Sequence, residues 1–337
     1  MINSIKDRHR YASMFFMSKN TRYINRKSKY SKYKNYEQII LPETISLESE
    51  HREKLIKIIT HIHKKLDSNV NKFFIDFSKT KKIIADGMIV FYSETKNIIN
   101  TYPDVIFKTA LTSNSKINQV LKQINIFNIC NTKSDSVNIK RHDVIHWRLT
   151  SGIGAITSKY PDIIDEGDFK YASTKSYLYS ACTEATINTK KHAYDEHFMG
   201  SRRVDGEKEI WWCFSQILDK KVSVFIYDLG LTLPETLPKK RPLLYKILKE
   251  MSLTDDAEMI LGGIETPSSS TGEDFRGNGL PRIASIAKET SSSTMMIHSR
   301  KGSVIIGNNR TKKINHKIPL QGTLVSWIID TGEHYGN

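Results

Sequence analysis

Apolar positions along this chain change period several times, and the changes mark out its elements. Between residues 37 and 131, strand-like and helix-like runs alternate. Residues 38–42 and 45–47 read as a short strand pair or as one strand with a break. Residues 49–66 carry Leu55, Ile58, Ile59, Ile62 and Leu66 at three- and four-residue spacings, the period of an amphipathic helix. Residues 72–77 form a strongly apolar strand, and 85–99 a helix stopped by Pro103. Residues 105–111 read as a strand and 116–127 as a short amphipathic helix. Strands alternating with helices predict an α/β layer whose sheet is covered by helices.

The second half has a different rhythm. Residues 131–171 show no clear periodicity and read as a connector with an entry strand, closing on an acidic turn at 162–168. Residues 171–194 read as one helix with Leu178, Ala181, Cys182 and Ala185 as its buried stripe. Residues 211–217 and 222–227 predict adjacent antiparallel strands. Residues 233–275 should hold a helix at about 243–251 and then a mobile flap. The tail of that flap, 265–273, is rich in turn formers and poor in apolar anchors. A further helix is expected from Arg276 to about Lys288, and Gly322-Thr323-Leu324 belongs to a terminal strand.

Composition narrows the class. At 337 residues with 39% apolar content, the chain has room for about two domains. Its N-terminal apolar run, Met14-Phe15-Phe16-Met17, is too short for a signal-peptide core, and no segment approaches a bilayer span. The three cysteines are widely spaced and in no C-x-x-C pattern. A disulfide framework or zinc site is therefore not expected, and a reducing cytoplasm fits. The net charge of +15 is concentrated in residues 1–35, where ten Lys and Arg residues face the single acid Asp7. Tyr11, Tyr23, Tyr30, Tyr33 and Tyr36 are interleaved with them. Such an arm suits single-stranded nucleic acid by phosphate neutralisation and base stacking, or is a solvated tail.

The candidate chemistry lies on three short segments. Glu184, Asn188 and Lys191 stand at i, i+4 and i+7, so they share one helix face. An Asn carbonyl together with phosphate oxygens suits Mg²⁺, which makes Asn188 the expected metal ligand. Glu184, one turn earlier, would orient or deprotonate an attacking water or hydroxyl. Lys191 or His192 would meet phosphate charge. Asp228-Leu229-Gly230 ends a strand, where a buried carboxylate accepts from the exocyclic amine of adenine and Gly230 allows close backbone approach. Arg276-Gly277-Asn278-Gly279-Leu280-Pro281 opens a helix whose backbone N–H groups would face phosphates. A solvated polar helix face and a plain turn are the competing readings of the first and third segments.

In this order, Glu184-Ala185-Thr186-Ile187-Asn188, Asp228-Leu229-Gly230, Arg276 through Pro281 and Gly322-Thr323-Leu324 resemble the N, G1 and G2 boxes and closing strand of a GHKL-type ATP-binding domain. That fold is shared by histidine kinases, gyrase and the bacterial anti-sigma-factor serine kinases, and the flanking residues are most similar to the last. The resemblance implies a Bergerat-type α/β sandwich with a mixed sheet and a helical layer. It also implies ATP and Mg²⁺ as cofactors, Glu184 as the catalytic residue, and nucleotide contacts from Asn188, Lys191, His192, Asp228, Gly230, Arg276, Gly277, Asn278, Gly279, Leu280 and Thr323. Thr323 matches the family threonine that supports adenine through water. One departure stands out: Thr232 occupies the position of the second glycine of the Asp-x-Gly-x-Gly pattern.

The first half resembles a STAS domain, with Asp86 where that family carries its phosphorylatable serine. Asp86 reads either as a carboxylate at a helix N-terminus or as a mimic of a phosphorylated antagonist. The expected organisation is a basic arm (1–36), a STAS-like α/β domain (37–131), a connector (132–171), the ATP-binding domain (172–330) and a tail (331–337). The expected activity is slow phosphoryl transfer to a protein serine or threonine, or to water, regulating a partner protein. The alternatives are a non-catalytic ATP-gated interaction module and a nucleic-acid-associated ATPase acting through residues 1–35. A homodimer is compatible with this reading; a membrane partner is not expected.

Overall fold

The computed structural model describes residues 33–154, 172–194, 210–218, 220–266, 279–289, 293–307 and 309–330. The arm as far as residue 32, the acidic turn at 162–168, the flap tail from 267 and the tail at 331–337 lie outside the described residues. The fold is mixed α/β with several sheets. The described residues form two compact units, the first ending at Trp147 and the second beginning at Arg148. No described helix is long and apolar enough to cross a membrane.

The first unit runs β1 (Glu37–Ile40), β2 (Thr44–Ile45), α1 (Ser49–Asp67), β3 (Lys72–Asp76), β4 (Lys82–Ile83), α2 (Ala85–Thr101), β5 (Ile106–Thr109), α3 (Ser115–Gln123), α4 (Ile126–Ile129) and α5 (His142–Ile145). Its main sheet is parallel in the order β1-β3-β5, and a second parallel pair joins β2 to β4. The two N-terminal strands thus take different partners instead of each other. Pro42, between them, has no N–H with which to continue a ladder. Central β3 buries Phe73, Phe74 and Ile75 in succession, as a parallel strand covered on both faces does. The helix expected at 116–127 is two pieces. Asn114 caps α3 by accepting from the N–H groups of Lys116 and Ile117 at 3.0 and 3.3 Å. Asn125, at φ 67°, then breaks the run before α4. Tyr33, one of the arm tyrosines expected to be open to bases, stacks on Phe74 with ring centroids 4.6 Å apart.

Asp86 is the second residue of α2 and not its cap, which is Ile84. Its buried carboxylate accepts from the backbone N–H of Gly87 and of Leu47, with the Ser46 hydroxyl at 3.5 Å. It therefore ties the exit of β2 to the first turn of α2. Gly87 permits this, because a Cβ there would lie 2.5 Å from the Ser46 nitrogen. Asp86 is buried, and its carboxylate is taken up by these internal hydrogen bonds instead of capping the helix.

The second unit runs β6 (Arg148–Ile153), α6 (Ala172–Asn188) continuing into a π turn (Thr189–Ala193), β7 (Ile210–Leu218), β8 (Lys221–Asp228), α7 (Leu233–Lys240), α8 (Pro242–Glu250), α9 (Asp256–Glu265), α10 (Gly279–Glu289), β9 (Ser293–Gly307) and β10 (Arg310–Asp330). The strands form one sheet ordered β6-β7-β8-β10-β9. A mixed sheet was the expectation, whereas every pairing of this sheet among the described residues is antiparallel. The entry strand expected before the helix is β6, paired with β7.

Alternate residues of β8 (Val222, Val224, Ile226) and of β10 (Val325, Trp327, Ile329) face a core completed by α6, α9 and α10. The stripe read on α6 is there: Leu178, Ala181, Cys182 and Ala185 are buried. The Trp327 indole N–H donates to the Ile283 carbonyl at 2.9 Å, fastening α10 to the sheet. All three cysteines are buried, and burial pushes the Cys130 and Cys213 thiols up to about 12.

The flap reading needs correction. The helix expected at 243–251 is α8, but residues 256–265 are also helical and bury Ala257, Ile260 and Ile264 in the core. Two glycines of this helix are packing positions. A Cβ at Gly262 would stand 3.1 Å from Leu248, and one at Gly263 would stand 3.0 Å from Leu280.

Candidate functional site

One cavity of about 430 Å³ opens in the second unit between α6, the π turn, α7, the start of α10 and the ends of β8 and β10. Its size falls in the range of about 300–1,000 Å³ usual for small-molecule sites. It is lined by Glu184, Asn188, Lys191, His192, Asp228, Gly279, Leu280 and Thr323, which are eight of the residues singled out in the sequence. Arg276, Gly277 and Asn278 lie outside the described residues. Gly230 is close by but serves another purpose.

The deep end is built around Asp228, the last residue of β8. Its carboxylate accepts from the N–H of Gly230 at 2.9 Å, from the N–H of Thr323, and bonds the Thr189 hydroxyl. Burial nevertheless pushes its pKa up to about 7, so desolvation outweighs these bonds. Thr323 stands directly opposite Asp228 in the β8–β10 register. Gly322, at φ 70°, makes that approach feasible, since a Cβ there would fall 1.8 Å from the Asp228 carbonyl oxygen. The Thr323 hydroxyl meets that of Ser299 at 2.8 Å, and Ser299 accepts from the Leu233 N–H at 2.9 Å. The start of α7 is thereby linked to the acid through two hydroxyls. Gly230 carries no strained φ. A Cβ there would collide with the Ala193 oxygen at 2.3 Å, so the glycine admits the π turn rather than a ligand. Leu231 then donates to that same oxygen at 2.7 Å.

Thr232, the departure from the glycine pattern, is accommodated. Its φ of −79° is ordinary for a β-branched residue, and it begins α7 as the N-cap. The Glu235 carboxylate accepts from its N–H at 2.9 Å and its hydroxyl at 2.8 Å, in a capping-box arrangement. The loop shape that this substitution put in question is a capped helix start.

The other end is formed where α6 meets the N-terminus of α10. A Cβ at Gly279 would lie 3.2 Å from Asn188 Oδ1 and 3.3 Å from Glu184 Oε2, so any side chain there would crowd both polar groups. The N-terminus of α10 brings a partial positive charge and N–H groups that have no intrahelical acceptor to this spot. Along α6, Glu184 precedes Thr189 by five residues, or about 7.5 Å of helix rise, which separates it from the Asp228 end. The π turn beyond Asn188 carries Lys191 and His192 onto the cavity wall. Lys240 and Arg241 add to this basic rim. Arg241 is partly committed to structure, since its guanidinium donates to the carbonyls of Gly263 (3.1 Å) and Thr266, and burial lowers its pKa.

Arg282 went unread in the sequence. Its Nη1 donates to Glu184 Oε1 at 2.9 Å, so the expected catalytic base is held in an ion pair. A signal existed. Arg282 follows Gly279 by three residues and therefore shares its face of α10, while Ile283, Ala284, Ile286 and Ala287 take the core face. Ser299 and Thr189 left no comparable signal, because strand register and a π turn brought them in. Leu280 packs against the core cluster while also lining the cavity.

The donors present fit a magnesium-bound polyphosphate. Among the described residues there is no cluster of three or more His, Cys, Asp or Glu side chains that would cage a metal. Asn188 supplies a hard carbonyl oxygen beside a helix N-terminus, and Mg²⁺ accepts such partial coordination when phosphates and water supply the rest. Compared with protein-family models and with curated proteins the chain matches none, so the reading of this cavity rests on its own residues.

Proposed function

We propose that the cavity binds Mg-ATP in the manner of a GHKL-type domain and supports slow phosphoryl transfer to a protein serine or threonine, or to water, so as to regulate a partner protein. The observation that carries this is the convergence, in one cavity, of a buried acceptor at one end (Asp228 beside Thr323) and of Asn188, Glu184 and the N-terminus of α10 at the other. Asp228 would accept from the adenine amine, a group guanine lacks at that position, and so select the base. Asn188 would hold Mg²⁺ through its carbonyl oxygen. The ion, when bound, would neutralise phosphate charge. The N–H groups at the start of α10 and the basic rim would position the phosphates. Glu184 would take the proton from a water or hydroxyl as its oxygen bonds to the terminal phosphorus. The bond from that phosphorus to the bridging oxygen breaks, and ADP departs.

A second reading has its own observation. The Glu184–Arg282 pair occupies the base, which favours a nucleotide-gated interaction module in which binding, not turnover, does the regulating. Calorimetry of the whole chain with Mg-ATP and Mg-GTP tests the site, and binding of ATP with marked discrimination against GTP is expected. Single-turnover incubation with labelled ATP then separates the two readings. Label transferred to protein or released as phosphate supports catalysis, and bound ATP recovered intact supports the gate.

A further inference from the structure

We infer that Arg282 is the residue that distinguishes a nucleoside triphosphate from a diphosphate, by exchanging the Glu184 carboxylate for the terminal phosphate; this rests on the proposed nucleotide reading of the cavity. Arg282 touches Glu184 through Nη1 alone, at 2.9 Å. Its side chain is 51% exposed while that of Glu184 is 18% exposed, so the pair sits at the cavity mouth with the arginine on the open side. A guanidinium has five N–H donors in a planar fork, and phosphate oxygens match that fork better than one carboxylate oxygen does.

Position decides which phosphate it reaches. Asp228 and Thr323 form the end suited to a base, and Thr189 joins that end to the C-terminus of α6. Asn188 comes next and Glu184 lies one turn further away, so Glu184 and Arg282 stand at the end most distant from the base. Arg282 is also one turn inside α10 from Gly279, whose backbone adjoins both Asn188 and Glu184. A phosphate resting on this helix start lies within one turn of the guanidinium, about 5.4 Å along the axis.

The consequence is a gate built from one ion pair. In the free protein Arg282 occupies the carboxylate that would act as base. A diphosphate ends short of the guanidinium and leaves the pair intact. A triphosphate offers a doubly charged competitor, Arg282 turns to it, and Glu184 is released next to the phosphorus it would serve. Arg282 thereby acts on the terminal phosphate directly and positions Glu184 indirectly.

The test is calorimetric titration of the full chain and its Arg282→Gln, Arg282→Lys and Glu184→Gln variants with Mg-ADP and a non-hydrolysable Mg-ATP analogue. Thermal melts check that each variant is folded. Arg282→Gln should lose about ten- to hundredfold in affinity for the analogue, the worth of a charge-assisted hydrogen bond, with ADP affinity unchanged. Arg282→Lys, which keeps the charge but not the fork, should lose less, and it decides the question if the glutamine variant does not fold. Glu184→Gln should bind the analogue more tightly than wild type, because Arg282 no longer has a carboxylate to leave. An unchanged ratio of analogue to ADP affinity in both arginine variants would overturn the role of Arg282 while leaving the nucleotide site standing. A wild-type protein that binds neither nucleotide would overturn the site and this inference together.

Discussion

Asp86 and Asp228 are both buried carboxylates beside a strand end, one in each unit, and both depend on a nearby glycine whose missing Cβ admits another backbone. Burial raises both pKa values, to about 6 for Asp86 and about 7 for Asp228. Their surroundings differ. Asp86 is enclosed by Ser46, Leu47 and Gly87, whereas Asp228 borders a cavity whose far end holds Asn188, Glu184 and a helix N-terminus. A perturbed buried acid is thus no sign of function unless space and complementary chemistry adjoin it. The first acid holds a strand to a helix; the second has a carboxylate edge toward a space that a ligand can enter.

The steepest test of this contrast lies at the far end of the cavity. Glu184→Ala should retain ATP and lose about 10²–10⁴-fold in single-turnover rate, since a general base acts mainly in the transition state. A wild-type rate in that variant would remove Glu184 from the chemistry. At the near end, Asp228→Ala should weaken Mg-ATP binding by about ten- to hundredfold through the unpaired adenine amine, and Asn188→Ala should weaken it through lost metal ligation. Asp86→Ala should leave the calorimetric affinity unchanged. Equal losses in the two aspartate variants would erase the distinction between them.

The glycines sharpen the contrast in stability. Gly87→Ala and Gly230→Ala should each destabilise by about 2–3 kcal/mol in denaturant titrations, because each Cβ meets fixed backbone. Only the second should also reduce nucleotide affinity, through displacement of Asp228. A further contrast is in pH dependence. An acid whose folded pKa is raised stabilises the fold most below its unfolded value near 3.8, and that contribution is lost as pH rises through the folded pKa. Relative to wild type, Asp86→Asn should gain apparent stability between pH 4 and about 6, by up to ~3 kcal/mol, and then level off. Asp228→Asn should keep gaining to about pH 7. Denaturant titrations at pH 4.5, 6 and 7.5 would check this, and a flat difference across that range in either variant would show that the acid is ionised throughout. ATP affinity in wild type should fall as pH drops below about 7, where the Asp228 acceptor becomes a donor.

Much of the second unit was legible along the chain. Leu178, Ala181, Cys182 and Ala185 announced the buried side of α6, which placed Glu184 and Asn188 on one shared face. Alternation in 211–217 and 222–227 announced β7 and β8. The failures came where local composition competed with packing. The turn formers of 265–273 extended the flap reading back over α9, where Gly262 and Gly263 are small because Leu248 and Leu280 press on them. Thr232 looked like damage to a glycine loop, and Glu235, three residues later, shows it to be a helix cap.

By itself the sequence determined most elements of the first unit and, in the second, α6, β7 and β8, the shared face of Glu184 and Asn188, and the acid at the end of β8. These depend on periodicity and on the residues at turns, which act over a few positions. Tertiary structure alone decided that Thr323 would stand opposite Asp228, that Ser299 would link it to α7, and that Arg282 would hold Glu184. Those contacts join residues 66 to 98 positions apart through strand register and helix packing, except the shorter Ser299–Thr323 link of 24. No local pattern encodes them, because register follows from burying the whole sheet face and helix placement from filling the core above it.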